Sequence, residues 1–73
     1  MKVKERRFRI KVGDKYLLHD PAYCTKDKVK LGALEDALVI GSWLVYRFKW
    51  NLIDAGFDEK IIDVQTIYIE VDA

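Results

Sequence analysis

The segment from Ser42 to Gly56 decides what this chain can become, because two secondary structures compete for it. It reads Ser-Trp-Leu-Val-Tyr-Arg-Phe-Lys-Trp-Asn-Leu-Ile-Asp-Ala-Gly. As a strand, it would alternate Leu44, Tyr46, Phe48 and Trp50 onto one face, and its aromatic and β-branched content suits that. As a helix, it has Ser42 as an N-cap, Gly56 as a C-terminal stop and a length that strands seldom reach. The cap signals and the length favour a helix from Trp43 to about Ala55. The fold class that follows is α+β: a small, mainly antiparallel sheet with one helix packed across it. The alternative, with residues 43–50 as a strand, is an all-β domain.

Wound at about 100° per residue, that helix is apolar on two sides. Leu44, Val45, Phe48, Leu52 and Ala55 gather on one side, and Trp43, Tyr46, Trp50 and Ile53 gather roughly opposite. Arg47, Asn51 and Asp54 fill a narrow polar strip between them. A helix lying on one sheet needs a single apolar stripe, so the second requires a cover. Either the loop at 20–32 folds over it, or it is an intermolecular seam. Tyr and Trp are over-represented among binding hot spots, which favours the seam. The candidate partner-binding residues are therefore Trp43, Tyr46 and Trp50 on one stripe, or Leu44, Phe48 and Leu52 on the other. The partner expected is a second copy of the chain (a homodimer), a different protein, or both.

The sheet is legible on either side of this segment. Phe8, Ile10 and Val12 alternate with Arg7, Arg9 and Lys11, and Gly13-Asp14 is followed by a second apolar run, Tyr16-Leu17-Leu18, so a β-hairpin is expected. A two-residue loop sets Ile10 against Leu17; a three-residue loop sets it against Leu18 and turns the second strand over. Asp20-Pro21 ends the hairpin. A lysine-rich loop with a short extended piece near Val29–Leu31 follows, and Ala37-Leu38-Val39-Ile40 has strand composition. Asp58-Glu59-Lys60 falls in a turn before the last strand. In that strand the apolar alternation of Ile62, Val64, Ile67, Ile69 and Val71 changes phase around Gln65-Thr66, which a bulge or break would explain.

Composition then narrows the class. With 73 residues and 8.6 kDa, the chain has room for one core, so residues 1–73 are expected to form a single domain. Nine aromatic side chains among many aliphatic ones, with a net charge of +1, argue against disorder. No uncharged run approaches the roughly 18–20 residues a membrane span requires. No apolar stretch follows the basic start, so no signal peptide is expected. A single cysteine, Cys24, fits a reducing cytoplasm.

Catalytic inventory is thin. His19 and Cys24 are the only candidate dyad, and an edge-strand histidine with a half-buried thiol is the plainer reading. There is no zinc-ligand set and no phosphate-binding glycine loop, so no metal, cofactor or small-molecule substrate is expected, and no enzyme activity. Charge is unevenly spread: residues 1–30 hold ten basic and four acidic side chains, and residues 31–73 three basic and eight acidic. Arg6, Arg7, Arg9 and Lys11 thus form a candidate nucleic-acid-binding strip, the alternative function. Against it, a last strand pairing beside the first would set outward Glu70 and Asp72 opposite Arg7, Arg9 and Lys11 as ion pairs.

The order of a hairpin, Leu34-Glu35-Asp36-Ala37-Leu38-Val39-Ile40, Ser42 opening a helix, Ala55-Gly56-Phe57 and an Ile-rich closing strand resembles small proteins encoded by bacteriophages and prophages of Gram-positive bacteria. The resemblance spans roughly residues 8–71. It implies a ββ(β)αβ fold, life in the host cytoplasm, and an accessory role such as binding and inhibiting a host protein, anti-defence or anti-CRISPR inhibitors included. No catalytic residue is implied. The chain departs from that pattern in its helix, where Leu44, Val45, Phe48 and Leu52 replace a charged stripe.

Overall fold

The computed structural model describes Met1–Ala73 and shows an α+β fold. Its strands are β1 (Lys2–Val12), β2 (Lys15–Leu17), β3 (Leu31–Gly32) and β4 (Ile62–Asp72), and its helix is α1 (Ser42–Ala55). The sheet order is β3-β2-β1-β4, antiparallel throughout. Residues 43–50 are therefore helical, as the length and the Gly56 stop favour.

The Gly13-Asp14 turn has two residues, since Lys11 stands beside Tyr16 and Val12 beside Lys15. Gly13 adopts φ +65 and Asp14 a negative φ, the pattern of a type II′ turn, which twists with the strands it joins. Continuing the register sets Ile10 beside Leu17, and both are fully buried.

Three sequence expectations need correction. First, α1 begins one residue early: Gly41 is the N-cap, Ser42 is inside the helix, and no side chain caps the end. Second, Ala37–Ile40 forms a single bridge, not a strand, in which Phe8 and Ile40 exchange both main-chain hydrogen bonds at 2.8 Å. Third, β4 has no bulge. It pairs with β1 without interruption from Val12–Ile62 to Lys2–Asp72.

The phase change in β4 has another cause. Ile62 and Val64 face the helix beside Val12 and Ile10, whereas Ile67, Ile69 and Val71 lie on the opposite face beside Arg7, Glu5 and Val3. The apolar set changes sides where the β1–β4 ribbon leaves the core. Eleven paired residues span about 37 Å at 3.4 Å each, and the molecule is 43 Å long. The ribbon is thus the long axis, with Lys2–Arg7 and Ile67–Asp72 forming a two-stranded arm.

The core lies at the other end. Ile10, Val12, Leu17, Val29, Ile40, Phe48, Leu52, Phe57 and Ile62 form one buried cluster. The loop at 20–32 contributes Val29 to it and does not cover the aromatic stripe of α1. Gly56 ends the helix at φ +113, with its N–H bonded to the Ile53 carbonyl at 3.0 Å and the Phe57 N–H to the Leu52 carbonyl at 3.1 Å. With Phe57 and Leu52 both buried, this is a Schellman stop sealed by an apolar contact. Asp58 caps the following 3₁₀ turn, accepting from the Lys60 N–H at 2.9 Å. No helix is long and apolar enough to cross a membrane.

Candidate interaction surface

The two stripes of α1 now have distinct fates. Phe48 and Leu52 are buried and Leu44 is half-buried against the core, so this stripe faces the sheet and is removed from the candidate partner surface. Trp43, Tyr46 and Trp50 point away from the sheet and remain 74%, 74% and 53% exposed. Ile53, on the flank, packs against the core. The outward aromatics occupy positions i, i+3 and i+7, which form one row along the helix.

Beside that row runs a shallow cleft of about 310 Å³, lined by Ala22, Tyr23, Cys24, Arg47, Asn51 and Asp54. Arg47 lies one turn from both Trp43 and Trp50, and Asp54 one turn beyond Trp50, so the polar strip borders the aromatic row. Arg47 also approaches Asp20 at 3.8 Å, a pair too exposed to hold the helix strongly. Tyr23 closes the far side and is fully exposed.

Tyr23 is held there at a cost. The Cys24 N–H bonds to the Pro21 carbonyl at 3.2 Å, closing a turn in which Tyr23 takes φ +60. That is the third position of a type II turn, where glycine or asparagine is favoured. Asp20 supports the turn by accepting from the Ala22 N–H at 2.9 Å, and Pro21 is buried beneath it. A non-glycine residue in the left-handed region costs on the order of 1 kcal/mol or more. Relieving the strain should therefore cost nothing in stability. Tyr23→Gly is expected to raise stability by up to about 1 kcal/mol, the left-handed penalty removed less the added backbone entropy, which a urea titration would show. A loss of more than 1 kcal/mol would mean that the tyrosine ring holds the turn in place.

No sequence signal marked Tyr23, because a tyrosine at a glycine position runs against turn propensity. Only the Asp20-Pro21 pair announced that a turn lay nearby.

The basic strip is divided by the pleat. Arg7, Arg9 and Lys11 share the helix-free face of the sheet, whereas Arg6 lies on the other face, its guanidinium 5.6 Å from the Phe8 ring centre. The expected ion pairs with Glu70 and Asp72 do not form, since the register sets these acids opposite Lys4 and Lys2. Lys11 instead stands opposite Asp63. The Arg9 Nε–H donates to Gln65 Oε1 at 2.7 Å, Gln65 Nε2 donates to Asp63 Oδ2 at 3.2 Å, and Arg7 pairs with Glu5 on its own strand. Tyr16 joins this face, with Arg9 and Lys11 at 5.5 and 5.9 Å from its ring centre.

His19 takes a structural position: its Nε2 accepts the Lys30 N–H at 2.9 Å, tying the end of β2 to the strand beyond it. Nowhere do three His, Cys, Asp or Glu side chains converge as metal ligands would. No protein-family model, curated protein or solved structure matches the chain.

Proposed function

We propose that the protein is a non-enzymatic protein-binding module that lays the outer face of α1 into an apolar groove on a partner. The observation that carries this is the row Trp43, Tyr46 and Trp50, exposed at the anchor spacing by which helices enter grooves. Its composition supports the reading, since Trp, Tyr and Arg dominate interface hot spots and Arg47 borders the row. Tyr23, exposed on strained backbone across the cleft, supplies a fourth aromatic anchor. The phage-protein resemblance extends the reading to a host protein as target and inhibition as outcome.

A second reading has one specific observation behind it. Tyr16 between Arg9 and Lys11 on an uncovered sheet face offers a base-stacking platform with cations beside it. Arg6 is not part of that face.

One experiment separates the two. Immobilised wild-type protein and a Trp43→Ala/Trp50→Ala variant are exposed to lysate of the source cell at low and high salt, with and without nuclease. A protein retained at high salt by the wild type alone, which then binds the purified chain one to one in a calorimetric titration, is the expected result. Retention that disappears with nuclease or salt, and with Arg9→Glu/Lys11→Glu but not with the tryptophan changes, would replace the groove reading with the nucleic-acid one.

A further inference from the structure

The outer edge of β4 is unpaired along its whole length, and its hydrogen-bonding phase can be read from the ends of the ribbon. The Gly13 N–H bonds to the Ile61 carbonyl and the Ala73 N–H to the Met1 carbonyl, both at 2.9 Å. In an antiparallel ladder such bonded pairs recur every second residue. Odd-numbered residues of β4 therefore bond to β1, and Ile62, Val64, Thr66, Tyr68, Glu70 and Asp72 direct their N–H and C=O groups outward. The Phe8–Ile40 exchange on the far side of β1 confirms this phase. Proteins usually blunt such an edge with proline, charged side chains (lysine above all) or a bulge. The sequence of β4, Ile-Asp-Val-Gln-Thr-Ile-Tyr-Ile-Glu-Val-Asp, has no proline, lysine or bulge, and its charges, Asp63, Glu70 and Asp72, leave the run Val64–Ile69 uncharged.

We infer that β4 pairs antiparallel with β4 of a second copy, about a two-fold axis at Tyr68, to give one continuous eight-stranded sheet. The occupant follows from self-complementarity. With Tyr68 opposite its symmetry mate, Thr66 meets Glu70 and Val64 meets Asp72, so no like charges face each other. On the helix-free face, Ile67 meets Ile69 of the other copy twice over, in the closer, non-hydrogen-bonded pairs. The half-buried patch of Val3, Ile67, Ile69 and Val71 is thereby doubled into one apolar stripe.

The Tyr68 axis also sets neutral Gln65 against Val71, and the neighbouring registers trade this against larger costs. A shift of the axis to Ile67 sets the charged Asp63 against Val71. A shift to Ile69 pairs Ile69 with itself and Ile67 with Val71, but it shortens the ladder and brings Glu70 diagonal to its own mate. The acids of β4 are also balanced within their own chain, Glu70 lying beside Lys4 and Asp72 beside Lys2.

The interface falls at the small end of the stable range, about 1,200 Å² or less in total, so association should depend on concentration. Light scattering and sedimentation should show the mass rising from 8.6 kDa towards twice that value between about 1 and 500 µM, as mass action at a small interface requires. Tyr68→Lys, which sets like charges across the axis, and Tyr68→Pro, which removes an outward N–H without touching the β1 ladder, should abolish the rise. Trp50→Ala should leave it unchanged. Hydrogen exchange gives a reading without any variant: amides of Val64, Thr66, Tyr68 and Glu70 should gain protection as concentration increases, while those of Gln65, Ile67 and Ile69 stay protected throughout. Overturning results are a monomer at all concentrations with unchanged exchange, or a dimer abolished by Trp50→Ala but kept by Tyr68→Lys. Masses beyond two chains would also overturn the closed pair, pointing to β4 meeting the free Lys2–Arg6 edge of β1 in an open chain.

Discussion

Replacing Leu52 with alanine is expected to lower the thermal midpoint by between about 8 and 40 °C, the range for losing about 2–5 kcal/mol from a domain of this size. Leu52 is 0% exposed, at the point where α1, the Schellman stop and the sheet meet. Truncating it opens a cavity that its neighbours cannot close without moving Phe57 or Ile10, because both belong to the same close-packed cluster. The loss is large against the total. At roughly 0.05–0.15 kcal/mol per residue the whole chain has about 4–11 kcal/mol, and only 11 of its 73 residues are buried, which argues for the lower part of that range. The measurement is a melt followed by far-UV circular dichroism, with Trp50→Ala beside it as an exposed control expected to shift the midpoint by only a few degrees. Equal shifts for the two would show that α1 does not seat on the sheet through the Leu44/Phe48/Leu52 stripe.

Much of this architecture is legible in the residues because the deciding signals are local. Gly13-Asp14 needs a positive φ and supplies it, and Gly56 does the same at the helix end. The alternation of Phe8, Ile10 and Val12 states which face of β1 is covered. What is not legible depends on where the core ends. Nothing near Gln65 reveals that the helix stops covering the sheet there, so a change of face resembles a bulge. The same blindness affects Lys2–Arg7, whose charges conceal a strand that exists because β4 runs alongside it. For the candidate surface, periodicity names both stripes of α1 but cannot orient them. Only packing shows that Leu52 turns in and Trp50 turns out. Tyr23 stays hidden because its position violates propensity, and a violated propensity cannot be told from an ordinary loop residue without the backbone angle.

The aromatic row should carry the binding energy while contributing little to the fold. Trp50→Ala is expected to weaken partner binding by thirtyfold or more, about 2 kcal/mol at a hot spot, with the melting midpoint nearly unchanged. Gly41 allows the same surface to be tested without removing any of it. The Trp43 indole lies back over Gly41, as helical side chains lean towards the N-terminus, and a Cβ added at Gly41 would come within 2.2 Å of the ring. Gly41 itself has φ −80, which any residue adopts. Gly41→Ala is thus strained by contact alone, and the contact is with a solvent-exposed ring that can swing aside. The expected outcome is a folded protein with a displaced Trp43, a shifted tryptophan emission and a loss of partner affinity approaching that of Trp43→Ala. If Gly41→Ala binds as tightly as the wild type while its emission moves, Trp43 is not an anchor and the row contracts to Tyr46 and Trp50. If the emission does not move, the ring does not rest on Gly41, and the geometry assigned to the start of α1 is wrong.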